Sequence, residues 1–195
     1  MNLPKGYWDV RFGRAPDGAR DEAVKYLERR HYLRGDGLFL WGALGVGKTG
    51  LAACLLMELR RRGHTGLFVE SATLVDKLMQ AEQFDWETSW ADRVREVEVL
   101  VIDDLGTEHH DDRAVIEKRI ESIIRTRSQD RKVTIVTCNV APLKLGPHEE
   151  DGRRHPGVFR QKFVSLIKER LRPIHVDGPS LRDEEAMAMA AGYRS

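Results

Sequence analysis

Gly37-Leu38-Phe39-Leu40-Trp41-Gly42-Ala43-Leu44-Gly45-Val46-Gly47-Lys48-Thr49 is the stretch whose reading decides the fold. Gly42, Gly47, Lys48 and Thr49 satisfy G-x-x-x-x-G-K-[ST], and Gly45 adds a small residue inside the loop. The apolar run Leu38 to Trp41 suits a buried strand. After the loop, Leu51, Ala52, Leu55, Leu56 and Leu59 recur at helical spacing until Gly63 ends the pattern. Glycines let successive backbone N–H groups converge on a polyphosphate at a helix N-terminus, where the dipole adds partial positive charge. Lys48 supplies a mobile cation to the β- and γ-phosphates, and the Thr49 hydroxyl is a magnesium ligand. Nucleotide contacts are therefore expected from Gly42, Gly45, Val46, Gly47, Lys48, Thr49 and Gly50, with ATP and Mg2+ as cofactors.

Composition bounds the rest. A chain of 195 residues, 41% hydrophobic and 32% charged, accommodates one well-buried α/β domain and is short for two. The net charge of +1 carries no global basic signal for nucleic acid. Arginine and lysine cluster locally at Arg60 to Arg62, Arg125 to Lys132 and Arg153 to Arg172, and any one cluster reads first as solvated surface and second as a local nucleic-acid contact. Cys54 and Cys138, the only cysteines, fall in apolar elements without metal-ligand spacing and read as core residues of a reducing compartment. No run approaches the roughly 18 apolar residues of a membrane span, and Met1-Asn-Leu-Pro-Lys-Gly6 is not a secretory signal. A cytoplasmic location with no membrane partner is expected.

The elements alternate from end to end. Residues 1 to about 17 form an irregular arm with Tyr7, Trp8 and Phe12, suited to covering the core edge or walling an adenine pocket; a helix follows to about Tyr32. A strand is expected at Gly66 to Glu70, and a helix from Ser71 with Leu74, Val75, Leu78 and Met79 on one face. The polar stretch Gln80 to Arg95 holds Trp86 and Trp90, readable as core packing of a half-buried helix, a partner surface or a stacking platform for bases. Val97 to Ile102 is a β-branched run buried on both faces, and Asp103 and Asp104 emerge at its carboxyl end. Asp111 or Asp112 caps a helix reaching about Arg127. A strand from Lys132 to Cys138 ends at Asn139, and a loop spans Ala141 to Gly157. A helix over 158–171, a strand over 174–176 and a short helix over 183–191 complete the chain. The expected architecture is an α/β parallel sheet sandwiched by helices. Its divisions are an arm and helix over 1–36, a nucleotide-binding core over 37–182 and a short C-terminal helix and tail over 183–195.

Four further residues carry chemistry. Asp103 follows a hydrophobic strand, as a magnesium-holding carboxylate does, and the adjacent Asp104 is placed to orient or deprotonate the attacking water. Asn139, ending the next buried strand, can donate to the γ-phosphate or hold that water. Arg170 falls near the middle of the apolar stripe Phe159, Phe163, Leu166 and Ile167, so its guanidinium needs an anion. An internal carboxylate and a γ-phosphate on a neighbouring molecule both meet that need, and spacing does not choose between them. His109 and His110, adjacent on a loop, lack helix-face spacing for a metal and read as surface residues.

Taken together, Gly42-Ala-Leu-Gly-Val-Gly-Lys-Thr49, Val101-Ile-Asp-Asp-Leu-Gly-Thr-Glu108, Thr137-Cys-Asn139, Glu169-Arg-Leu171 and Gly178-Pro-Ser-Leu-Arg182 resemble the AAA+ ATPases of the bacterial DnaC/IstB-like group, helicase loaders and transposition helpers. The resemblance implies a P-loop NTPase (AAA+) fold. It makes Lys48 and Thr49 the Walker A residues, Asp103 and Asp104 Walker B, Asn139 sensor 1 and Arg170 a finger acting on a neighbouring subunit. Arg182 matches a recurring Ser-x-Arg. The chain departs from the group in three ways: no room for a helicase-binding domain before Gly42, Ser165 and Leu166 where relatives often carry another Arg, and too few residues after Val176 for a full helical lid.

The expected function is that of an ATP-dependent DNA-replication accessory protein, resembling a replicative helicase loader that assembles head to tail and binds single-stranded DNA. The expected partners are a replicative DNA helicase or a transposase, single-stranded DNA and further copies of the chain joined through ATP sites. The alternatives are an IstB-like transposition helper ATPase on duplex DNA, a P-loop small-molecule phosphotransferase, and a nucleotide-gated scaffold that barely hydrolyses ATP.

Overall fold

The computed structural model describes residues 2–7, 11–83, 88–106, 113–181 and 183, with side chains at 79–83, 88–89 and 113 left aside. In chain order the elements are α1 (Asp17–Glu28), β1 (Gly37–Trp41), α2 (Lys48–Arg61), β2 (Gly66–Glu70), α3 (Ser71–Gln83), α4 (Thr88–Glu96), β3 (Val99–Leu105), α5 (Arg113–Gln129), β4 (Val133–Cys138), β5 (His148–Glu150), β6 (Arg153–His155), α6 (Gln161–Arg170) and β7 (Leu171–His175). Five strands form one sheet in the order β2-β3-β4-β1-β7, every pairing parallel. The carboxyl ends of β1, β4 and β3 therefore lie side by side, where an open α/β sheet collects ligands.

Side-chain alternation along the strands builds a core on each face. Leu38, Leu40, Val99, Val101, Val133 and Ile135 face α1 and α2; Phe39, Leu100, Ile102, Val136 and Cys138 face the layer of α3, α4, α5 and α6. Near-continuous apolar runs are what a sheet covered on both sides requires. Trp90 is half-buried and packs on the second core, with the Lys77 ammonium 5.1 Å from its ring centroid. Core packing is thus the reading of Trp90 that holds; Trp86 lies outside the described residues.

Several boundaries differ from the sequence expectation. β3 runs on through the acid pair to Leu105, because Asp103 still pairs with Glu70 of β2 and Leu105 with Cys138 of β4. The first helix stops at Glu28, and the chain turns through Arg30 at φ +53° into a short 3-10 turn over His31–Arg34. The segment 141–157, expected as plain loop, contains the antiparallel hairpin β5–β6, turned by Asp151 and Gly152 at φ +52° and +71°. Two successive positive φ values with an Asp-Gly pair are the signature of a tight hairpin turn. α6 starts only at Gln161, since the Val158 and Phe159 amides both donate to Leu145 O at 2.8 Å. It ends at Arg170 because Leu171 already pairs with Gly37, so the last strand begins three residues earlier than the 174–176 expected. Of the helix expected over 183–191 only Asp183 is described, and the caps Asp111 and Asp112 lie outside the described residues.

One buried cation ties the second layer to the sheet. The Arg127 side chain, fully buried on α5, donates through Nε to Thr134 Oγ1 at 3.1 Å. Nη1 donates to Val94 O at 2.7 Å and Val97 O at 2.8 Å, and Nη2 to Val133 O at 2.7 Å and Glu98 O at 3.3 Å. The carbonyls ending α4 are thereby satisfied together with those entering β3 and β4. Burial draws the Arg127 pKa down to about 10, which leaves it charged at neutral pH. Replacing Arg127 with Leu strands these carbonyls. The expected cost is about 3 kcal/mol, lowering Tm by about 6–12 °C for a domain of this size; thermal denaturation with an unchanged midpoint would refute the role.

Candidate nucleotide site

The phosphate loop follows β1 and is shaped by close approaches that only glycine permits. A Cβ on Gly42 would stand 2.0 Å from Val176 O. On Gly45, at φ +84°, it would stand 2.6 Å from Ser180 Oγ. Residues 176–181 lie against the loop, with Val176 N–H donating to Trp41 O at 2.8 Å and Leu181 N–H to Gly45 O at 3.1 Å. Gly47, at φ +97°, starts α2. Lys48 is buried, and its Nζ donates to Gly42 O at 3.0 Å and Ala43 O at 2.6 Å. Its charge thus sits within the loop whose amides would surround a phosphate.

The acid pair owes its geometry to a bulge. The β3–β4 register shifts between Ile102 and Leu105, and Asp104 sits at φ +60°, a conformation Asp tolerates better than most residues. Thr137 Oγ1 bridges the irregularity, accepting the Asp104 N–H at 2.8 Å and donating to Asp103 Oδ1 at 2.6 Å. Ser71 Oγ donates to Asp104 O at 3.1 Å, and Asn139 Nδ2 donates to Asp104 Oδ1 at 3.2 Å. Asn139 Oδ1 is buried with no hydrogen-bond partner among the described residues. Burial pushes the Asp103 pKa up, the Asp104 and Glu70 charges push the same way, and hydrogen bonds from Thr137 and Thr49 pull it back.

These groups line one cavity of about 630 Å³, which takes in Gly45, Gly47, Lys48, Thr49 and Gly50 of the loop together with Asp103, Asp104 and Asn139. Gly42 and Val46 belong to the loop without lining the cavity; Val46 is buried in the first core. The Thr49 hydroxyl and the Asp103 carboxylate, whose charged form that hydroxyl favours, are an all-oxygen pair suited to magnesium, which keeps water and takes the rest of its ligands from phosphates. No group of three or more His, Cys, Asp or Glu able to hold a metal alone occurs among the described residues, so the fit depends on nucleotide oxygens. Tyr7, Arg11 and Arg14 of the amino-terminal arm also line the cavity.

Arg170 corrects the helix-wheel expectation. Phe163, Val164, Leu166 and Ile167 make the buried face of α6, and Leu171, already in β7, takes the next inward place. Arg170 is exposed outside the cavity, paired with the exposed Glu169 at 2.9 Å, and among the described residues no internal carboxylate holds it. Arg182, His109 and His110 lie outside the described residues. Sequence reasoning missed Thr137, Ser71, Glu70, Arg11 and Arg14 as site residues. Thr137 had a legible signal: it lies two residues before Asn139, hence on the same side of β4.

The model of the IstB-like ATP-binding proteins matches residues 8–144, most of the chain. The chain belongs to this family. Its parallel sheet, with the phosphate loop after β1, is that of an AAA+-type P-loop NTPase, and the family description is of ATP binding. Among relatives, the chain is 27% identical over 153 residues to the replicative helicase loader DnaI of Bacillus subtilis, covering 76% of this chain and 48% of that one. It is 29% identical over 156 residues to a putative ATP-binding protein of an insertion sequence in Mycobacterium tuberculosis, covering 76% and 56%. The chain thus spans about half the length of the curated relatives it matches. The crystal structure of the DnaC helicase loader superposes with a TM-score of 0.70 at 23% identity, over 89% of this chain and all of that one, a likeness of fold. No described helix is long and apolar enough to cross a membrane.

If the Thr137 hydroxyl positions both acids, Thr137→Val will cost about 2 kcal/mol of unfolding stability and weaken ATP binding measured with magnesium present. Thr137→Ser will preserve both. Thermal denaturation and equilibrium titration with a fluorescent ATP analogue check the pair, and equal behaviour of Val and Ser variants would refute it.

Proposed function

We propose that the chain is a magnesium-dependent ATPase of DNA replication that stacks head to tail, engages single-stranded DNA and acts with a replicative DNA helicase in the cytoplasm. The observation that carries this reading is the division of labour in space. Loop, acids and Asn139 share one cavity, while the exposed Arg170 lies outside it, available to a second copy. The similarity to a helicase loader supports the replicative partner. A groove of about 870 Å³ beside α4 and α5, lined by Arg95, Lys118, Arg119 and Arg160 among others, supports a path for a phosphate backbone. Residues 37–182 would be the ATPase core, with 1–36 as an amino-terminal arm and helix and 183–195 as a short C-terminal helix and tail.

In this reading Lys48 and the loop amides hold the β- and γ-phosphates. Thr49 and Asp103 would hold magnesium, whose charge offsets that of the phosphate oxygens. Asp104 and Asn139 orient a water in line with the γ-phosphorus. Arg170 of the next copy meets the charge that develops on the transferred group. Loss of the γ-phosphate removes the group joining two copies, so hydrolysis ends the assembly.

Mixing variants tests the shared site. Lys48→Ala and Arg170→Ala proteins, each nearly inactive alone, will regain ATPase activity when combined, because one supplies the cavity and the other the finger. Failure of the mixture to regain activity refutes the head-to-tail site and leaves a monomeric phosphotransferase as the rival. The insertion-sequence relative favours a second reading, a transposition helper on duplex DNA. Competition of single- against double-stranded DNA for the ATP-bound protein separates them, the first reading predicting preference for the single strand.

A further inference from the structure

Glu70 ends β2, where its Cα partner across the sheet is Asp103. Its side chain is exposed, lines the nucleotide cavity with Asp103, Asp104 and Asn139, and makes no hydrogen bond or ion pair among the described residues. Its charge is felt at Asp103, where it favours the protonated form. Asp104, by contrast, is held on several sides. Its N–H is taken by Thr137, its carbonyl by Ser71, and one carboxylate oxygen by Asn139. Asp104 is also one methylene shorter and fixed in a bulge at φ +60°. A group that takes a proton from a reacting water must reach it and keep a lone pair free. In this cavity the longer, unheld carboxylate is Glu70.

We propose that Glu70 is a catalytic residue of ATP hydrolysis, taking the proton of the attacking water while Asp104 and Asn139 orient that water. The inference rests on the nucleotide-site reading above. The water oxygen bonds to the γ-phosphorus as the bond from that phosphorus to the bridging oxygen breaks. ADP leaves with the electron pair, and the water proton passes to the Glu70 carboxylate, which releases it to phosphate or solvent. Ser71, the residue after Glu70, fixes the Asp104 carbonyl, so the two acids are set by one turn of chain.

The test uses the full chain with ATP and magnesium, with and without single-stranded DNA, and reads single-turnover hydrolysis and equilibrium ATP affinity separately. Glu70→Gln is expected to slow hydrolysis about a hundredfold with ATP affinity and ATP-triggered assembly retained, Glu70→Ala to match it, and Asp104→Asn to slow it less. Glu149→Gln, on the hairpin away from the cavity, should behave as wild type. Hydrolysis by Glu70→Gln at the wild-type rate overturns the proposal, as does a loss of ATP affinity that accounts for the whole defect. A wild-type chain that neither binds nor hydrolyses ATP defeats the site reading itself, a result visible before any variant is made.

Discussion

One hydroxyl group fixes the chemistry of this fold. Thr137 Oγ1 occupies the gap where β3 leaves its register with β4, accepting the amide of Asp104 while donating to the carboxylate of Asp103. A parallel sheet would otherwise send successive side chains to opposite faces, and neighbouring acids could not serve the same ligand. The bulge, the positive φ at Asp104 and the threonine together turn both acids toward the loop after β1. The cost is a buried carboxylate whose charge the environment opposes, and the hydroxyls of Thr137 and Thr49 partly offset it.

The same sheet needs support from behind, and the means is different there. α4 is short and its carboxyl end abuts the entry to β3, so its last carbonyls are shielded from water. Arg127 supplies donors to them and to the adjoining strands at once, a role suited to a planar guanidinium and unsuited to lysine. Glu117 does the complementary work at the amino end of α6, accepting the Arg160 amide at 3.0 Å. Charge thus closes helix ends that loops of this length leave open.

The fold was legible wherever burial imposed a period. The strand runs, the helical repeat after Lys48 and the glycine pattern of the loop are each dictated by local physics, and the parallel α/β architecture followed from their alternation. The site was legible as far as its motif: Lys48, Thr49, Asp103, Asp104 and Asn139 do meet around one cavity. What escaped was set by contacts between distant segments. Arg170 sits on the apolar stripe only if the helix continues, and pairing of Leu171 with Gly37 ends it there. The hairpin at Asp151-Gly152 had its signal in plain view, masked by the charged residues around it. Arg127 looked like one more surface arginine, because nothing local announces that three backbone segments converge on it.

The lashing of residues 176–181 across the phosphate loop carries a mechanical meaning. Val176 and Leu181 are hydrogen-bonded to Trp41 and Gly45, and Ser180 fills the space that a side chain on Gly45 would need. Tension applied at Leu181 therefore arrives at the loop directly, through its hydrogen bond to Gly45. A pull on residues 176–181 is thus a pull on the phosphate loop at Trp41 and Gly45.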